Sequence, residues 1–330
     1  MNRLSTVLSA VAFTSLAVSA AFGQSVISAH SGLIHYVEGI VLLDSQPVEV
    51  KIATFPDMKE NMELRTEDGR AEVLLNPGAF LRLGENTAVR MVSNKLSDSR
   101  IELLSGSAVV EADSSAESQG EEIVTILYKG AATHIRKGGI YRFDTEPAQL
   151  RVYSGEAEVV AAGNSLILKS AKMISLDSPL AVEKFDAKDT DALSRWSRRR
   201  AEYISMANVS AAKYVNDSGD TWRRGDWFYN RYFGMVTFLP GGGVSHSPYG
   251  YDYYSPAAVY SSVYRPPVLF APSYGGGGMG ASPSYSAPST TATGTYSGSV
   301  SAPAPSVSAG GGGGRATPSA GAAPVAPPHR

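Results

Sequence analysis

The chain predicts an all-β domain, either a sandwich or a roll, followed by one α-helix and a disordered Gly/Ser/Pro/Ala-rich tail. Three features carry that assignment. From about residue 32 to 176 the hydrophobic period is 2, the period of strands with one buried face. Clusters of Gly, Asn, Asp and Ser interrupt it at short intervals, as in sandwiches and barrels, with no helix-length amphipathic segment between them. The period then changes to that of a helix over 186–213, after which the composition collapses toward Gly, Ser, Pro, Ala and Tyr.

The first 23 residues, "MNRLSTVLSAVAFTSLAVSAAFG", place one basic residue, Arg3, before an uncharged apolar run that ends in small residues. This is the order of a secretory signal peptide. No later segment approaches the roughly 20 apolar residues needed to span a bilayer. The expected mature protein is therefore exported, with no transmembrane span. The chain has no cysteine, which excludes disulfides, thiolate metal sites and cysteine nucleophiles. Its formal charge of -2 provides no global field for a nucleic-acid partner.

Within the β region, Ala71, Val73 and Leu75 alternate with Arg70, Glu72 and Leu74, while Ala79, Leu81 and Leu83 alternate with Phe80 and Arg82. Breaks are expected at Glu67-Asp68-Gly69, Asn76-Pro77-Gly78, Gly84-Glu85-Asn86, Ser97-Asp98-Ser99 and Ser105-Gly106. Beyond a polar interruption at 113–122, further strands are expected at 123–128, 140–143, 150–153, 157–161, 166–169 and 173–176. A Gly-led phrase recurs, "GRAEVLL", "GSAVVEA" and "GEAEVVA". Each glycine leads into another alternating strand and not into a helix N-terminus, so these glycines read as bends and not as a phosphate loop.

In 186–213, Leu193, Trp196, Tyr203, Ile204, Ala207 and Ala211 form the stripe expected to pack on the β domain, with Arg195, Arg198, Arg199 and Glu202 on the other side. Asp186, Asp189 and Asp191 suit the capping of its first turn better than a calcium loop, since the Gly and distal Glu of such a loop are missing. "NDSGD" from Asn216 reads as a polar turn. The segment 216–270 is dense in aromatic residues, and 271–330 has a composition unable to bury a core.

The phrase "LRTEDGRAEVLLNPGAFLRLGENTAVRM", then "RIELLSGSAVVEA", then "YRF" at Tyr141 and "LRVYSGEAEV" from Leu150 resembles the FecR-type domain of bacterial envelope proteins. The resemblance covers 32–176 and implies a periplasmic β module, best known as the sensing half of a transmembrane anti-sigma regulator. This chain departs from that plan, because its apolar segment begins almost at Met1. The reading that follows is a non-enzymatic exported protein acting in envelope sensing, regulation or scaffolding through protein contacts. The alternative is a carbohydrate- or peptidoglycan-binding module.

No Walker loop, nucleophile elbow or zinc-binding helix motif is present, and the five histidines have no metal-ligand spacing, so no catalytic, cofactor or metal residues are assigned. Two candidate surfaces remain. Trp222, Trp227, Tyr229 and Tyr232 could stack on sugars or a protein partner, or else fold back to cover an edge of the β domain. Arg195, Arg198 and Arg199 could meet an anionic glycan or lipid headgroup.

Overall fold

The computed structural model describes residues 30–50, 54–114, 122–177, 180–219, 222 and 225–264. The signal-peptide and low-complexity-tail expectations lie outside these residues. The first group of strands is β1 (Leu33–Leu43), β2 (Gln46–Pro47), β3 (Glu63–Leu74), β4 (Ala79–Leu83), β5 (Ala88–Lys95), β6 (Asp98–Ser105) and β7 (Ser107–Ala112). The second is β8 (Val124–Tyr128), β9 (Ala131–Ile135), β10 (Gly139–Thr145), β11 (Ala148–Ser154), β12 (Glu156–Ala161), β13 (Asn164–Lys169), β14 (Lys172–Ser175) and β15 (Val182–Lys184). Helix α1 (Ala192–Ser218) follows, then β16 (Asp226–Asn230), β17 (Met235–Leu239), β18 (Val244–His246), β19 (Asp252–Tyr254) and the short α2 (Pro256–Ser262).

Strands from both sides of the 113–122 interruption belong to one 15-stranded sheet, with β1 and β2 branching from β3 and the rest in the order β13-β12-β9-β8-β6-β5-β3-β4-β7-β10-β11-β14-β15. The sheet folds over at β3, whose first residues pair with β5 and whose last pair with β4. This produces two facing layers. Their inner side chains, among them Leu81, Val110, Tyr141 and Leu150 from one layer and Met91, Ile101, Ile126 and Val159 from the other, share one apolar cluster.

The repeated glycines are crossing points between the layers. Gly106 (φ +86°) separates β6 from β7, and Gly155 (φ +89°) separates β11 from β12, so in each case the chain leaves one layer and enters the other within a single residue. A Cβ at Gly106 would lie 2.6 Å from the Asn86 carbonyl oxygen, so both conformation and space select glycine. One expected break is absent. Glu67-Asp68-Gly69 lies inside β3, because Gly69 pairs with Gly39 of β1 at a close backbone approach and the ladder continues past it.

The alternation in β3, β4, β7 and β10 sends Leu74, Phe80, Arg82, Val109, Glu111 and Arg142 to the opposite face, which a cap of α1 and β16 to β19 covers. Helix α1 runs 192–218 where 186–213 was expected. Only Asp191 caps it, accepting from the Ser194 N–H at 2.8 Å, whereas Asp186 closes a preceding turn through Lys188 N. Asn216 to Ser218 form its last turn and not a loop, closed by Gly219 in the left-handed conformation and by the Lys213–Asp217 pair one turn apart. Of the expected stripe, Leu193, Trp196, Ile204, Ala207 and Ala211 are buried, but Tyr203 is exposed. No helix among the described residues is long and apolar enough to cross a membrane.

Candidate functional site

Between the outer face of the sheet and its cap lies a buried ionic seam. Glu72 of β3 stands directly opposite Arg82 of β4, and its Oε2 accepts from Arg82 Nε at 2.8 Å. Arg82 Nη1 reaches diagonally to Glu111 of β7 at 2.5 Å, the reach that neighbouring antiparallel strands allow to long side chains. The cap completes both carboxylates. Arg200 of α1 donates to Glu72 Oε1 at 2.9 Å, and Ser247, just after β18, donates to Glu111 Oε1.

His35 is the extra residue of a bulge in β1, between Ile34, which pairs with Val73, and Tyr36, which pairs with Glu72. The bulge turns its imidazole into the seam. Its Nε2 accepts from the Val236 N–H at 3.0 Å, so the neutral ring carries its proton on Nδ1, which donates to Glu72 Oε1 at 2.9 Å. Two carboxylates therefore face two guanidinium groups and one neutral imidazole, and all of these side chains are buried.

The electrostatics follow from that packing. Burial raises the Glu72 carboxyl, but Arg200 and Arg82, together with the His35 hydrogen bond, outweigh it and hold the group well below the usual carboxylate range. Burial lowers the His35 imidazole, and the nearby Arg200 and Arg82 add to this against the opposing pull of Glu72. Burial disfavours the charge on Arg82 as well, yet Glu111 and Glu72 raise it above the ordinary arginine value. A second ion pair fixes the start of α1, where Arg142 of β10 bridges Asp144 and the capping carboxylate of Asp191.

Two openings lie along α1. The first is a cavity of about 300 Å³ beside the N-terminal half of α1, lined by Val109, Ile140, Tyr153 and Tyr249 and, from the helix, by Arg195 and Arg198. The second is a groove of about 670 Å³ along the C-terminal half of α1, bordered by Met206, Tyr214, Tyr232, Phe233 and Tyr264 around Lys213. Lys213 is tied to Asp217 and to the Tyr260 hydroxyl, and lies over the Tyr260 and Tyr264 rings.

The sequence candidates divide between these places. Trp227 is buried against Phe80 and Phe238 with its ring inside the cap, so it offers no stacking face. Trp222 and Tyr229 are half-buried against apolar clusters of the cap. Tyr232, 83% exposed at the β16–β17 turn, belongs to the groove. Arg195 and Arg198 share the cavity, and Arg199 is exposed outside its lining. The seam was not anticipated. Its one visible signal was the charge placed opposite charge at Glu72 and Arg82, in register across the Asn76-Pro77-Gly78 turn.

Comparison with known proteins bears on part of the sheet, β3 to β14. Residues 62–176 match the family described as FecR protein. Two crystal structures of a proposed anti-sigma factor from Parabacteroides distasonis are each 16% identical over 38% of this chain, with a TM-score of 0.33. The aligned part spans 61% of those chains. No curated protein matches the sequence.

Proposed function

With a FecR domain at residues 62–176 as the premise, we propose that this is a non-enzymatic, exported envelope protein that acts in sensing or regulation by docking another envelope protein on its helical cap. The observation that carries the proposal is the groove on α1, where Met206, Tyr214, Tyr232, Phe233 and Tyr264 are all exposed beside one another. Large neighbouring apolar side chains left in water mark contact surfaces more often than isolated ones do. The FecR match at 62–176 supports a regulatory role, and the groove lies on the cap, away from the inner core of the sheet.

The carbohydrate reading keeps one specific support, because the same groove pairs aromatic faces with the polar Lys213 and Asp217. One experiment separates the two. Purified mature protein and a Tyr232→Ser/Phe233→Ser variant are incubated with solubilised envelope protein and, in parallel, with isolated peptidoglycan. Loss of a specific protein partner in the variant, with no peptidoglycan binding by either form, is the expected result. Retention of that partner by the variant removes the groove from the contact surface, and peptidoglycan binding lost in the variant transfers the groove to the second reading.

A further inference from the structure

We infer that the cavity beside the first turns of α1 is a binding site for a small organic anion, one carrying a carboxylate or phosphate on a ring or short apolar body. The inference is independent of the docking role proposed for the groove, which lies on the other half of the helix.

The charge balance around the cavity is the first argument. Most neighbouring carboxylates already have partners: Asp191 and Asp144 with Arg142, Glu111 with Arg82, Glu72 with Arg82 and Arg200, and Asp186 with the Lys188 N–H, while Asp189, next to Thr190, is exposed outside the lining. The cavity lining itself contains no carboxylate, yet it contains two guanidinium groups. Arg195 spends one N–H on the Thr190 carbonyl oxygen at 2.9 Å and has no ion pair among the described residues. Arg198, one turn further along the same helix, has no hydrogen-bond or charged partner among the described residues. Two uncompensated arginines at i and i+3 thus face one concavity, near the positive end of the helix dipole. Guanidinium groups present their N–H donors in a planar fork that matches the oxygens of carboxylates and phosphates.

The shape of the cavity supplies the second argument. Its lining includes the aliphatic Val109 and Ile140 and two tyrosines, Tyr153 and Tyr249. An inorganic ion would leave that apolar surface uncovered, whereas a ligand with an anionic head and a ring-sized body would cover it. At about 300 Å³ the volume suits one such unit and not a polymer segment. The two tyrosines are also held in place. Tyr153 packs edge-on against Phe185, and Tyr249 follows Ser247, whose hydroxyl is fixed on Glu111 of the seam. A ligand would therefore touch the sheet, the helix and the turn after β18 together, and tighten the cap on the sheet.

An acidic sugar and a phosphorylated headgroup share this chemistry, and the probes distinguish them. Titration calorimetry of the mature protein with glucuronate, glycerol phosphate and glucose is expected to show binding of at least one of the two anions and none of neutral glucose. The preferred anion identifies the source. Arg195→Gln/Arg198→Gln, at two exposed positions, should weaken that binding at least about tenfold, since each lost bond is to a charged group. Ala187→Trp, which fills the cavity but keeps both arginines, should weaken it similarly, with melting temperatures of both variants checking that each is folded. No anion binding at concentrations on the order of 10 mM overturns the inference. So does equal binding by the double arginine variant, and so does binding retained by Ala187→Trp, which would place the anion on the open helix face.

Discussion

The two faces of strands β3, β4 and β7 are built from alternate residues of the same stretches, yet they are held by opposite means. Inward, Val73, Leu81 and Val110 join an apolar cluster shared by both layers. Outward, Glu72, Arg82 and Glu111 form a charged seam that is equally buried. The inner face is stabilised by removing apolar surface from water and tolerates any side chain of suitable shape. The outer face is a set of mutual obligations, in which each charge is tolerable only while its partners are present. Hydrophobic alternation on its own thus does not tell a solvated face from one covered by ionic contacts with a second layer.

The largest expected effect follows from that difference. Glu72→Ala leaves Arg82, Arg200 and His35 without their common acceptor in a buried site, and should destabilise the fold by about 3–5 kcal/mol. Leu81→Ala, on the inner face one residue from Arg82, should cost about 2–5 kcal/mol through lost burial and the cavity left behind. Urea unfolding of both variants measures the comparison. A Glu72→Ala cost within about 1 kcal/mol, the range of exposed ion pairs, would mean that water reaches the seam and that the cap is looser than its packing.

A smaller, pH-dependent effect sharpens it. Around His35 stand Glu72 on β3, Arg82 on β4 and Arg200 on α1, with the Val236 N–H of β17 on Nε2. Burial, with Arg200 and Arg82 adding to it against Glu72, lowers the folded-state pKa below the ordinary histidine value, and protonation would also set an N–H of the ring against the Val236 N–H. The unfolded chain then takes up the proton first as pH falls. Stability contributed by neutral His35 is complete above pH of about 6.5 and declines below it, toward the lowered folded value, with a slope of at most about 1.4 kcal/mol per pH unit. His35→Gln retains one donor and one acceptor and does not titrate. Urea midpoints followed from pH 8 to 5 should fall more steeply in the wild type than in this variant. Equal slopes would assign the decline to other groups.

Legibility in the sequence divides along the same line. The sheet was readable because period-2 alternation and the Gly106 crossing are local, and the expected strands at 123–128, 150–153 and 166–169 fall on β8, β11 and β13. Strand β9, "AATHI", escaped because four of its five residues are small or polar and its partners β8 and β12 decide it. The seam escaped for a longer-range reason. Arg200 looks like one more member of an exposed basic run, and only the cap's position, 128 residues from Glu72 in sequence, buries it. The aromatic segment was recognised as the distinctive part of the chain, but composition alone could not separate Trp227, which fills the cap, from Tyr232, which leaves it.

That pair holds the smallest expected effect, at Tyr232, and the most local contrast. Trp227 and Tyr232 are five residues apart on one hairpin, the first packed between Phe80 of the sheet and Phe238 of β17, the second 83% exposed at the turn. Trp227→Ala removes a buried ring from the junction of sheet and cap and should cost about 3–5 kcal/mol. Tyr232→Ser removes a ring that water already surrounds and should change stability by no more than about 0.5 kcal/mol. Thermal unfolding of the two variants side by side is the measurement. A Tyr232→Ser cost above 1 kcal/mol would show that the ring supports the hairpin, and its exposure would then be a by-product of folding. A neutral result would mean that the fold has no need of an aromatic side chain there, leaving contact with a partner as the property that the position serves.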